Sequence, residues 1–98
     1  MDAQKMPWNL SPNASERTTI LNEKLAAAHK VAEPGTRWLH KKGGQYLVVG
    51  FTIDSTTGDV LVLYGRIGGP DFDAQAEYGI YFSRPIAEWT LDRYTPMT

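Results

Sequence analysis

Between Trp38 and Gly50 the chain reads Trp-Leu-His-Lys-Lys-Gly-Gly-Gln-Tyr-Leu-Val-Val-Gly: an apolar run, a basic turn with two glycines, and a second, alternating apolar run. Aromatic and β-branched residues at a period of two, parted by residues that tolerate a reversal, specify antiparallel strands joined by a tight connection. The same pattern predicts strands over 36–40, 45–53, 59–66 and 78–83, with a short last strand over 91–94. In the second strand Leu47, Val49, Phe51 and Ile53 alternate with Tyr46, Val48, Gly50 and Thr52. Both faces carry apolar groups, so both need cover. One face is expected to line a barrel interior, the other to receive a helix or a second subunit. Gly50 in mid-strand marks a bend or bulge that lets a short sheet curl. Asp54-Ser-Thr-Thr-Gly-Asp59 reads as a hairpin loop, because its Asp, Ser and Thr side chains can bond the local backbone.

Before Pro34-Gly35 the pattern is helical. Asn13 with Glu16 three residues on resembles a capping box, with Ser15 as a competing cap, and Ala- and Leu-rich sequence runs to Val31. Ile20, Leu21, Leu25, Ala28 and Val31 form one broad stripe, which predicts an amphipathic helix. Residues 1–12, broken by Pro7 and Pro12, read as an irregular arm with Trp8 and Leu10 as anchors. The resulting organisation is one domain: arm 1–12, a helix within 13–33, and a β unit over 36–98. A β unit of roughly 60 residues buries only about 60% of its unfolded surface. The helix or a homo-oligomer is therefore expected to complete the core.

Composition removes several function classes. A net charge of −1 and a pI near 6.1 lack the positive excess that non-specific nucleic-acid binding needs. Without cysteine there is no disulfide scaffold, thiol nucleophile or thiolate zinc site. The N-terminus lacks the apolar run of a signal peptide, and no stretch approaches the roughly 20 apolar residues of a membrane span, so a soluble, cytoplasmic protein is expected.

Trp38-x-His40-x-Lys42-Gly43, Tyr46-x-Val48-x-Gly50, Ser55-x-Thr57, Tyr64 and Arg84-Pro85-Ile86-x-x-Trp89 together resemble the bacterial and phage domain-of-unknown-function family 1653, over about residues 34–90. The family pattern has an aromatic where Leu39 stands, a histidine at Asp54 and an arginine at Gly65; the segment 67–78 is also longer here. The resemblance implies an SH3-like barrel and no assigned activity. The fold expected is thus α+β, mostly β: an N-terminal amphipathic helix followed by a small SH3-like antiparallel β-barrel of about five strands.

Each candidate residue has two readings. His40, at a strand end beside Lys41 and Lys42, either meets an anion or simply ends the strand. Lys41-Lys42-Gly43-Gly44 is either an anion-binding turn or a solvated hairpin tip. Arg37 and Arg84 offer guanidinium forks for carboxylates or phosphates, with an internal pair to Glu88 or Asp92 competing for Arg84. Asp71, Asp73 and Glu77 lack the order of a calcium loop and read as a solvated acidic segment. No nucleophile elbow, metal-binding histidine pair or phosphate-binding glycine loop occurs. The leading expectation is a non-enzymatic protein holding a small anionic ligand such as a nucleotide, through Trp38, His40, Lys42, Tyr64, Arg84 and Trp89, with no cofactor and no metal. A phage sequestering or anti-defence role is conceivable on the resemblance. A protein-interaction or inhibitor module and a small enzyme with an unfamiliar site are the alternatives.

Overall fold

A computed structural model describes residues 13–97; the arm expected over 1–12 lies outside them. Helix α1, Ala14–Val31, starts where the Asn13 side chain accepts from the Glu16 N–H at 3.0 Å. This satisfies one of the donors that a helix start leaves free. Several contacts that hold α1 come from its C-terminal half. Ala28 and Ala32 just past its end are buried, the His29 ring meets Phe51 edge-on at 5.0 Å, and Lys24 Nζ donates to the Gly58 carbonyl at 2.9 Å. Of the expected apolar stripe, Ala28 is buried, Leu21 and Leu25 are half-buried, and Ile20 and Val31 are exposed. An 18-residue helix is about 27 Å long. Only part of that length meets a sheet this small.

Strands β1 (Arg37–His40), β2 (Gln45–Ile53), β3 (Val60–Gly68), β4 (Tyr81–Pro85) and β5 (Tyr94–Met97) form one antiparallel sheet in the order β4-β3-β2-β1-β5. The β2 bounds match the sequence expectation. β4 begins three residues later than expected because a short helix α2, Ala74–Glu77, and a turn with Gly79 at φ +81° occupy the start. β5 is displaced likewise, since the Thr90 carbonyl accepts from the Arg93 and Tyr94 N–H groups and closes a turn where a strand was expected.

The expected alternation in β2 breaks at a bulge. Val48 pairs with Tyr64 but Gly50 pairs with Leu63, so Val49 is an extra residue. The insertion moves Phe51 onto the face of Tyr46 and Val48, where all three meet the core. Gly50 thus sits at the bulge anticipated for it. β4 and β5 are the sheet's edges and do not pair, so the sheet is open where a closed barrel was expected. It is curled nonetheless. A flat sheet would hold β4 and β5 roughly 19 Å apart, yet the Arg84 guanidinium lies 6.0 Å from the Tyr94 ring centre. The 3-10 turn Ile86–Glu88 and Trp89 fill the space between the edges and stand in for further strand pairing.

Inside the curl Trp38, Val48, Val62, Tyr64, Trp89, Tyr94 and Ala32 form the core. The opposite face is sparsely covered: Leu39, Val49, Ile67, Tyr81 and Met97 are exposed there.

Candidate functional site

Strand register determines which polar side chains join the aromatic core on the inner face. His40 stands opposite Tyr94 across β1 and β5, Tyr46 opposite Arg66 across β2 and β3, and Tyr64 opposite Phe82 across β3 and β4. Where these rows reach the β1–β2 turn they open into a cleft of about 340 Å³. Four basic residues, His40, Lys42, Arg66 and Arg84, and three tyrosines, Tyr46, Tyr64 and Tyr94, line it with Gly44. No carboxylate is among them, in a chain whose net charge is −1.

The turn that carries Lys42 is built by the backbone. His40 N–H donates to Gly44 at 2.7 Å, Gly43 N–H donates back to His40 at 2.8 Å, and Gly43 takes φ +102°. His40 Nδ1 accepts from the Lys42 N–H at 3.1 Å. A ring nitrogen that accepts carries no proton, so neutral His40 holds its hydrogen on Nε2 as a donor. Burial, then the charges of Arg84, Lys41, Lys42 and Arg93, push the His40 pKa below its ordinary 6.5.

Arg84 is fixed from two sides. Its Nη1 donates to Glu88 Oε1 at 3.1 Å, and a bond with the Tyr64 hydroxyl, partly offset by burial, holds its pKa above the usual value. Arg84 Nε is buried without a hydrogen-bond partner among the described residues. Burial, with Tyr64 next to it, pushes the Tyr94 hydroxyl up to about 12, so it stays a neutral donor at physiological pH. Arg66 ties the cleft to the following loop, with Nε donating to Gly68 at 3.1 Å, Nη2 to Pro70, and the guanidinium 5.9 Å from the Phe72 ring centre. Lys42, Arg66, Arg84 and the Nε2–H of His40 are donors, and the chemistry they suit is an acceptor-rich anion.

Of the six residues singled out from sequence, His40, Lys42, Tyr64 and Arg84 line this cleft. Trp38 and Trp89 do not; they are buried beneath it, with Trp89 stacked on Tyr94 at 3.9 Å and Trp38 edge-on to Trp89 at 5.8 Å. Arg37 is exposed outside it. The site residues expected from sequence did not include Tyr46, Arg66 and Tyr94. Arg66 shares a face with Tyr64 by simple alternation, a readable signal, and Tyr46 follows once the register is known. Asp73 and Glu77 are used locally: Asp73 caps α2 by accepting from Gln75 and Ala76, and Glu77 accepts from the Asp73 N–H.

A larger groove, about 460 Å³, runs between α1 and the β4 end and is lined mainly by Ala27, Val31, Pro85 and Ile86. It offers few polar groups to orient a ligand. No helix among the described residues is long and apolar enough to cross a membrane.

A pH dependence follows from His40. The unfolded chain takes up a proton on this ring below about pH 6.5, while the folded protein resists it. The stability His40 contributes is therefore complete above pH 6.5 and is lost as pH falls. Urea midpoints of the wild type and His40→Gln at pH 7.5 and 5.5 check this: the wild type should lose more on acidification. Equal losses would refute it.

No family model, curated protein or solved structure matches this chain.

Proposed function

We propose that the protein is a non-enzymatic binding protein whose curled sheet, an open relative of an SH3-like barrel, holds a small phosphorylated anion in the cleft. The supporting observation is the convergence of His40, Lys42, Arg66 and Arg84 around a space of about 340 Å³ whose described lining residues include no carboxylate, Glu88 pairing with Arg84 from outside that lining. Ligand sites commonly occupy about 300 Å³ or more, which suits a mononucleotide better than a dinucleotide. The role that goes with such binding is sequestering of the anion in the cytoplasm. The phage and anti-defence connection is carried solely by the family resemblance.

Titration calorimetry with pyrophosphate and ADP tests the reading. Arg84→Ala is expected to weaken binding of either by roughly 10- to 100-fold, the scale of losing charge-assisted hydrogen bonds. Wild-type protein that gives neither heat nor thermal stabilisation with millimolar pyrophosphate or nucleotide would overturn it. A second reading, a protein-interaction module or homo-oligomer, is favoured by the exposed Tyr78, Ile80 and Tyr81 ahead of and within the β4 edge. Native mass spectrometry of the wild type distinguishes that reading by its subunit count.

A further inference from the structure

We infer that Phe82 is a stacking platform for the flat ring of the cleft's ligand, which makes that ligand a nucleotide and not a bare polyphosphate. The inference rests on the anion-binding reading above and adds the recognition of the ring.

Phe82 lies on the inner face of β4, opposite Tyr64, with the two ring centres 5.8 Å apart and tilted by 36°. Tyr64 lines the cleft, so Phe82 extends the cleft's aromatic wall outward. β4 is an edge strand, and among the described residues no strand lies beyond it to cover the ring. Phe82 is accordingly 45% exposed. The other rings of this region are placed differently. Tyr81 points to the opposite face and packs on Gly65, while Tyr78 is 90% exposed in the turn before β4.

The cations flank this platform. Arg84 is two residues beyond Phe82 on its own strand, and Arg66 is two residues beyond Tyr64 on the neighbouring one. Two residues along a strand span roughly 7 Å, a distance that a ribose can bridge between a base and its phosphates. A phosphate held by Arg84 or by Arg66, which lie on opposite sides of the Tyr64–Phe82 row, leaves an attached base at the rim, where Phe82 offers a π-surface. Stacking of this kind tolerates any base, since every base presents a π-face.

The experiment is calorimetric titration of the full chain with pyrophosphate and with four nucleoside diphosphates (ADP, GDP, CDP and UDP), for the wild type, Phe82→Ala and Phe82→Tyr. The wild type should bind the best nucleotide roughly 5- to 100-fold more tightly than pyrophosphate, the scale of one base–aromatic stack. Phe82→Ala should abolish that advantage and leave pyrophosphate affinity unchanged, and Phe82→Tyr should restore it. An unchanged nucleotide-to-pyrophosphate ratio in Phe82→Ala overturns the inference while leaving the anion site intact. Equal loss of both ligands also overturns it, because the ring would then act only through the fold. Failure of the wild type to bind pyrophosphate or any of the nucleotides removes both readings together.

Discussion

Trp89→Ala is expected to lower the unfolding free energy by about 3–5 kcal/mol, the range for removing a large buried aromatic. Trp89 follows the 3-10 turn between β4 and β5 and is 3% exposed. Its ring stacks on Tyr94 at 3.9 Å with a 7° interplanar angle and meets Tyr64 and Trp38 edge-on at 5.1 and 5.8 Å. It therefore joins residues of β1, β3 and β5 across the space a closed barrel would fill by strand pairing. Without it the curl has no wedge and the cleft loses its floor. Domains of this size hold only about 5–15 kcal/mol in all, so the variant should be marginal. Leu91→Ala, nearby but 75% exposed, provides the control and should change stability by no more than about 0.5 kcal/mol. Urea unfolding followed by far-ultraviolet circular dichroism reads both. A Trp89→Ala midpoint close to that of Leu91→Ala would mean that the aromatic cluster does not hold the sheet together.

Gly69→Ala should be nearly as damaging, for a different reason. Gly69 takes φ +101°, a region that favours glycine, and an added Cβ would lie 2.4 Å from the Gly43 carbonyl oxygen and 3.0 Å from Gly44 Cα. Both obstacles are backbone and cannot rotate away. Strain and overpacking each destabilise by about 1–3 kcal/mol, which gives about 2–6 kcal/mol together. Gly35→Ala separates the two contributions, because Gly35 has φ +90° but nothing within 4 Å of its added Cβ. Gly69→Ala is expected to exceed it by at least about 1 kcal/mol. Equal effects in denaturant titrations would show that the close approach of the two loops is not maintained. The same substitution should weaken pyrophosphate binding, since the 41–44 turn that Gly69 touches carries Lys42.

How much of this was legible beforehand differs from element to element. Asn13 as the helix cap, the end of α1 before Pro34, and both bounds of β2 follow from local chemistry: side-chain capping, the restriction that proline places on its neighbour, and alternation between glycine-rich turns. β4 and β5 were misplaced by three residues, because short turns closed by backbone hydrogen bonds leave little trace in residue type. The open sheet was unreadable for a related reason. Closure depends on whether the edges meet, and here Trp89 occupies the gap.

For the cleft, His40, Lys42, Tyr64 and Arg84 stood out in the sequence because their types suit anion recognition. Trp38 and Trp89 stood out equally and turned out to be core, since an aromatic ring looks the same in a sequence whether it packs or binds. Arg66 and Tyr46 become neighbours only through the β2–β3 pairing, and Tyr94 reaches the site only because β5 returns beside β1.

The sequence by itself determined the helix, the run of antiparallel strands, the glycine turns and the stock of basic and aromatic side chains, all of which arise from interactions within a few residues. Tertiary structure alone decided that the bulge anticipated at Gly50 takes up Val49 and moves Phe51 inward, that the curl brings Arg84 to Tyr94, and that His40, Lys42, Arg66 and Arg84 gather at one cleft. Those depend on strand register and on which rings fill the interior, and register is a relation between distant segments.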